Sequence, residues 1–241
     1  MNEIAATTTS SKLFRRRPLL ALQALRRLIA DPERTEEVFV ILQHLSGDAL
    51  QRGFKRFAEI PARLPWLEKS MVDVLNNRHG LRTLPAGSLG RAYLAFVETE
   101  NLSADGLVEA SEATIYQDLD RNMQRFGERN RDTHDLWHVL SGYGRDTFGE
   151  ACLLAFTYAQ TKDFGIGVIA VVGTLKIAKE SRLGVIGAAW QAYLAGRRAQ
   201  WLPGENWEAT LREPLESVRT RLGIAPPLRY QEVRRLVAAA V

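Results

Sequence analysis

Four side chains in one short stretch, His134, Asp135, His138 and Glu150, offer imidazole nitrogen and carboxylate oxygen, the donors a divalent metal ion takes. Residues 131–150 hold two of the four histidines, together with four acids and three glycines. On an α-helix successive residues turn by about 100°, so positions i, i+1 and i+4 fall near 0°, 100° and 40°. His134, Asp135 and His138 are therefore expected to face one sector and share an ion, the two imidazoles sitting one turn apart. The donor set does not fix the metal. The imidazole pair favours zinc, two histidines with a carboxylate and open positions suit ferrous iron, and manganese or magnesium stays open.

Glu150 follows His134 by sixteen residues, which on one continuous helix would be about 24 Å along the axis. Ser141-Gly142-Tyr143-Gly144 offers a way back, because Gly142 and Gly144 can both take positive φ and end the first helix. Asp146 or Thr147 can then cap a second helix whose first turns contain Glu150. The expectation is a helix, a glycine turn and a helix that folds Glu150 over the histidines. A plainer reading stays beside it, in which Asp132 or Thr133 caps a helix and Asp135 sits at the third position as in a capping box. His44 and His79 stand alone, in a helix and a turn, and read as structural or solvated. Cys152 lies in the apolar run 151–156 and reads as a core thiol.

The elements that must position these groups read as helices throughout. Pro18 suits a helix start, with Leu19, Leu22, Leu25 and Ile29 on one face. Thr35, followed by Glu36 and Glu37, predicts an N-cap for a helix that stops at Gly47. A segment 48–58, a connection at Pro61 and Pro65, and a short helix 66–76 come next. Ser88 is the expected cap of a helix burying Leu89, Tyr93 and Phe96. A loop at 101–105 leads to a helix over 111–125. Beyond the metal-ligand stretch, 151–160, 164–175 and 184–194 are apolar and rich in small residues, followed by a turn at 201–204, helix over 206–222 interrupted by Pro214, and a last helix over 230–240. The segment 164–175 is short of the roughly 20 residues a membrane span needs. No alternating strand pattern or repeat stands out. The fold class is all-α, with residues 1–17 a flexible basic arm and residues 18–241 a single helical domain.

With 46% hydrophobic and 25% charged residues, the 241-residue chain sits in the globular range, and one cysteine excludes an internal disulfide framework. Residues 1–34 carry seven bases against three acids, which accounts for the whole net charge of +4. A neutral body with a basic arm argues against a nucleic-acid partner and suits an anionic membrane surface, a solvated tail being the plainer alternative.

His134-Asp135-x-x-His138, eleven residues and then Glu150 resembles the signature of the coenzyme Q (ubiquinone) biosynthesis protein 4 family. Arg131-Asp132-Thr133, Gly142-Tyr143-Gly144-Arg145-Asp146, Leu89-Gly90-Arg91-Ala92-Tyr93 and Trp201-Leu202-Pro203-Gly204 extend the likeness over roughly residues 33–225. The resemblance implies an α-helical ubiquinone-biosynthesis protein, peripheral on the cytoplasmic face of the inner membrane, or on its matrix side if mitochondrial. It implies one divalent ion on His134, Asp135, His138 and Glu150, and a metal-dependent lyase that exchanges the carboxylate of a polyprenylated 4-hydroxybenzoate-derived ring for a hydroxyl. Its partners would be that substrate or a prenyl lipid, the membrane surface and other ubiquinone biosynthesis proteins; a homodimer is compatible.

A prenyl chain needs an apolar groove, which helices 164–175 and 184–194 could form, and Arg145 and Lys162 could pair with the ring carboxylate. The family is also described as a scaffold organising the biosynthetic complex. A remote third reading, an HD-type metal phosphohydrolase, would need His44 or His79 in the site. No flavin or nicotinamide fingerprint is present.

Overall fold

The structure is a computed structural model and describes residues 16–31, 34–100, 119–181 and 184–239. It is helical and contains no strand among the described residues, apart from one isolated bridge between Ser88 and Pro214. Helix α1 spans Pro18–Ala30, α2 Thr35–Leu45 and α3 Ala49–Ala58, followed by a 3-10 segment Pro61–Glu68. Helices α4 (Met71–Asn76), α5 (Arg78–Arg82) and α6 (Leu89–Thr99) precede α7 (Arg121–Asp132) and α8 (His134–Ser141). The second half comprises α9 (Thr147–Thr161), α10 (Phe164–Ser181), α11 (Val185–Arg198), a short 3-10 turn Leu202–Gly204, α12 (Trp207–Thr210), α13 (Leu215–Leu222) and α14 (Leu228–Ala239). The loop expected at 101–105, most of the helix expected over 111–125 and residues 1–15 of the basic arm lie outside the described residues.

Helix α9 is the centre of the molecule. Phe148, Cys152, Leu153, Phe156 and Ala159 are buried on several of its faces, as an interior helix requires. It packs against α10 and α11. The approach to α11 is close enough that a Cβ on Gly196 would stand 2.5 Å from the Phe156 carbonyl oxygen. Buried Gln160 spans the same contact, its Nε2 donating to the Gly196 carbonyl at 2.6 Å and its Oε1 accepting from the Leu202 amide at 2.8 Å. Glycine therefore serves close packing here, and at Gly167, where the Tyr158 ring lies 2.9 Å from a Cβ position. Gly173 faces open space among the described residues. Cys152 is fully buried, and its thiol is pushed up to about 12, first by burial and then by the Asp146 charge, as expected of a core thiol.

Several local expectations hold. Ser88 Oγ accepts from the Arg91 amide at 3.3 Å, and Leu89 and Tyr93 are buried on α6. Others change. Thr35 is the first helical residue, not the cap, and Glu37 pairs with Arg27 instead of serving only the helix dipole. The helix expected over 66–76 divides into the end of a 3-10 segment and α4, because Lys69 is extended and Ser70 starts a new helix, its Oγ accepting from the Asp73 amide at 3.3 Å. His79 falls inside α5, not in a turn.

Arg219 of α13 fixes the end of α8. Its Nη2 donates to the Val139 carbonyl at 2.8 Å and its Nε to the Leu140 carbonyl at 3.0 Å, satisfying oxygens that a helix C-terminus leaves open. Arg219→Ala is expected to lower unfolding free energy by about 2 kcal/mol, the worth of charge-assisted bonds to buried acceptors. Urea denaturation measures it, and a loss under about 0.5 kcal/mol would show that water replaces the guanidinium without penalty.

Candidate metal centre

Helices α7 and α8 are nearly continuous and break at Thr133, whose hydroxyl donates to the Arg129 carbonyl at 2.9 Å. Helix α8 ends at Gly142, which takes φ +75°, a conformation costly for other residues. Gly144 does not share that positive φ, contrary to expectation; its reason is space. A Cβ on Gly144 would stand 2.9 Å from both Asp146 Oδ2 and Tyr230 Oη, and one on Gly149 would fall 2.0 Å from the Gly144 carbonyl oxygen. Asp146 then caps α9, its Oδ1 accepting from the Gly149 amide at 3.1 Å. Residues 142–146 thereby turn the chain back and bring Glu150 to the histidines.

The donor atoms of His134, His138 and Glu150 lie within 4.8 Å of one another. The two Nε2 atoms are 3.2 Å apart, His138 Nε2 is 3.2 Å from Glu150 Oε1, and His134 Nε2 is 3.6 Å from Glu150 Oε2. Ligands about 2.0–2.1 Å from a tetrahedral zinc stand about 3.3–3.4 Å from one another; the two histidines are near that spacing, and each is near it from a Glu150 oxygen, a different one for each.

His138 is oriented on two sides. Its Nδ1 lies 3.0 Å from the Tyr143 carbonyl oxygen, which can only accept, so the proton sits on Nδ1 and Nε2 keeps its lone pair for the cluster. Phe96 of α6 stacks on the ring at 5.7 Å. The His138 side chain is 0% exposed, against 25% for His134 and 31% for Glu150, so the cluster opens toward solvent on the His134–Glu150 side. Burial alone would raise the Glu150 carboxyl, but the two imidazoles beside it outweigh burial and hold the carboxyl well below its usual range. Burial would likewise lower His134, but Glu150 outweighs it and raises the imidazole. The cluster thus favours an added positive charge, whether a proton or a metal cation.

The structure brings three of the four expected ligands together and leaves Asp135 out of the group. Asp135 follows His134 by one residue, a turn of about 100°, and a 100° sector proves too wide for one ion. It is buried, and its charge instead bears on Tyr93 and His134. Arg145 reaches the rim, with Nε 3.9 Å from Glu150 Oε1. Lys162 does not: twelve residues separate it from Glu150, about 18 Å along α9, where it takes φ +55° at the helix end and lies over the Tyr158 and Tyr193 rings. His44 and His79 stay outside the cluster, so the further histidine that an HD-type phosphohydrolase uses is not supplied by them. Sequence reasoning missed the Tyr143 carbonyl, inside the turn, and Phe96 and Tyr230, which reach the site from other helices.

The family model described as Coenzyme Q (ubiquinone) biosynthesis protein Coq4 matches residues 8–228. The chain is 34% identical over 157 residues to the mitochondrial ubiquinone biosynthesis protein coq4 of Sclerotinia sclerotiorum, covering 64% of this chain and 53% of that one. It is 32% identical over 197 residues to the corresponding protein of Neurospora crassa, covering 81% of this chain and 51% of that one. It therefore spans about half the length of the curated relatives it matches. A crystal structure of a candidate ubiquinone biosynthesis protein from Nostoc punctiforme superposes with a TM-score of 0.62 over 87% of this chain and 99% of that one; at 21% identity this speaks for the fold.

Proposed function

The chain belongs to the coenzyme Q (ubiquinone) biosynthesis protein Coq4 family, and from that premise we propose that it is a metal-dependent oxidative decarboxylase of the polyprenylated quinone ring precursor. The observation that carries the reading is the convergence of His134, His138 and Glu150 on one point, with His138 held in the tautomer that presents a lone pair there. A divalent ion on these three residues would supply Lewis acidity, drawing negative charge from ring oxygens as the carboxylate departs.

The chain's own groups hold and shield. Arg145, at the open rim, is placed to pair with the ring carboxylate, and its guanidinium suits that planar anion. Phe96 and the fully buried His138 close the inner wall against water. Asp135 steadies positive charge on His134 from behind. Exchanging a carboxylate for a hydroxyl releases carbon dioxide and is a two-electron oxidation overall, so an oxygen-donating oxidant is a co-reactant from outside the chain.

A prenylated substrate calls for contact with lipid. No helix among the described residues is long and apolar enough to cross a membrane. Helices α1 and α10 both pack on α2 and are linked by Arg16 over the Phe164 ring and by Lys176 Nζ donating to the Ile29 carbonyl at 2.6 Å. Leu19, Leu22, Phe164, Val171 and Leu175 of this pair are exposed, and Arg26, Lys176 and Lys179 are on the same helices. Exposed apolar side chains beside bases support attachment to an anionic membrane surface, the matrix side of the inner membrane in a mitochondrion and the cytoplasmic side in a bacterium. Association with other ubiquinone biosynthesis proteins belongs to the same proposal.

The test is replacement in a host that depends on this protein for quinone. His134→Ala with His138→Ala is expected to cut quinone at least about tenfold and accumulate the prenylated ring with its carboxylate in place. Normal quinone in cells carrying the double variant would overturn the catalytic reading and leave an organising role.

A further inference from the structure

The five-residue turn that closes the metal hairpin is gripped by a residue 80 positions downstream of the cluster's last ligand. Tyr230, near the start of α14 and 2% exposed, donates its hydroxyl to Asp146 Oδ2 at 2.8 Å and accepts from the Gly144 amide at 2.9 Å. Arg234, one turn further on, brings its Nε to 3.8 Å from the same carboxylate oxygen. The Tyr230 ring lies edge-on to Tyr143 at 5.3 Å and against Phe148 at 5.0 Å. Helix α14 is itself seated on α11, with Val233 buried and the Arg229 amide donating to Gln191 Oε1 at 3.0 Å.

The two bonds of the Tyr230 hydroxyl act on both halves of the site. Asp146 uses its other oxygen to cap α9, so the direction in which α9 leaves the turn, and with it Glu150 in the first turn, depends on where that carboxylate is held. Gly144 is bonded through its amide to Tyr230 and follows Tyr143, whose carbonyl fixes the His138 ring. One hydroxyl thus ties the acceptor that orients a nitrogen ligand to the cap that aims the carboxylate ligand. The turn has little slack, because Gly149 is packed against the Gly144 carbonyl with no room for a Cβ.

We propose that Tyr230 is a positioning residue of the metal centre, clamping residues 143–146 from the C-terminal helix so that His138 and Glu150 meet at one point. Tyr230 and Arg234 lie beyond residue 228, where the family match ends. The inference rests on the metal-site reading above, and its test separates the two. Metal-stripped wild type, Tyr230→Phe and Phe57→Leu are each titrated with Zn²⁺ against a chromophoric chelator, and their melting temperatures are recorded. Phe57 belongs to a separate apolar cluster with Leu67 and Phe126, so its variant reports what lost stability alone does.

Tyr230→Phe is expected to weaken Zn²⁺ binding about tenfold, the lower end of what outer partners of metal ligands contribute, while Phe57→Leu stays within about twofold of wild type. Zn²⁺ binding by Tyr230→Phe equal to wild type, or weakened no more than in Phe57→Leu, would overturn the clamp. Wild type that binds no Zn²⁺ would sink the metal reading instead. The clamp then stands or falls on a second readout in metal-free protein, the exchange rate of the His138 Nδ1 proton. That rate should rise about tenfold in Tyr230→Phe, and an unchanged rate overturns the proposal.

Discussion

His138→Ala is expected to bring metal content from one ion per chain to near zero. The loss in affinity should exceed the roughly 10–100-fold that removal of an outer partner costs, because a donor atom itself is gone. Thermal melts carry the same information. A ligand at about 1,000 times its Kd adds about 4 kcal/mol to the stability of the protein that binds it, so wild type should gain that much from saturating metal and the variant almost nothing.

His134→Ala serves as the contrast. Its side chain is a quarter exposed, so it should lose metal while keeping the metal-free stability of wild type, whereas His138→Ala also empties a site beneath Phe96 and leaves the Tyr143 carbonyl without its donor. Loss of that donor alone should cost about 1–3 kcal/mol. Elemental analysis and melts with and without chelator decide it, and stoichiometric metal in His138→Ala would refute the assignment of its Nε2 as a ligand.

The second large effect lies behind the site. Arg129 of α7 is 3% exposed and binds both Glu208 oxygens, at 2.8 and 2.6 Å, tying the helix that leads into the metal stretch to α12. Glu208→Ala would strand a buried guanidinium, and about 3 kcal/mol of stability should be lost, as when one partner of a buried pair is removed. Replacing both, Arg129→Met with Glu208→Leu, should recover most of it, since removing both charges also removes the cost of burying them. Burial alone would raise the Glu208 carboxyl, but the hydrogen bond and charge of Arg129 outweigh it and lower the carboxyl below 4.5. The pair's contribution is therefore complete above that pH and fades as pH falls through the depressed value, so the gap between wild type and Glu208→Ala should narrow in acid. Urea melts at neutral and acidic pH test both statements; a single variant as stable as wild type at neutral pH would mean that water solvates Arg129.

The all-helical fold and the meeting of His134, His138 and Glu150 were legible in the chain because they rest on local rules. His134 and His138 are one helical turn apart, Gly142 permits the reversal, and Asp146 is a residue that caps. Where spacing alone was used, it over-reached. Asp135 was drawn in because a helical sector is broad, and Lys162 because closeness in sequence was taken for closeness in space along a helix that points away. Gly144 was assigned to the site for its backbone freedom, while the structure needs it for its missing side chain. The groups that hold the site rigid were not readable at all. Phe96, Arg219 and Tyr230 come from three other helices, and no local pattern announces that a side chain will cross the fold to reach a turn.

Cys152 is the chain's one thiol and sits fully buried on α9, two residues after Glu150. A thiol-reactive dye can reach it only when the central helix comes away from its neighbours, and burial keeps the thiol from ionising before then. The molecule therefore carries its own clock for that opening. The rate at which an unmodified sample takes up dye counts how often the helix bearing Glu150 detaches, and any slowing of that rate on adding metal would measure how firmly an ion on His134, His138 and Glu150 fastens the helix to α8.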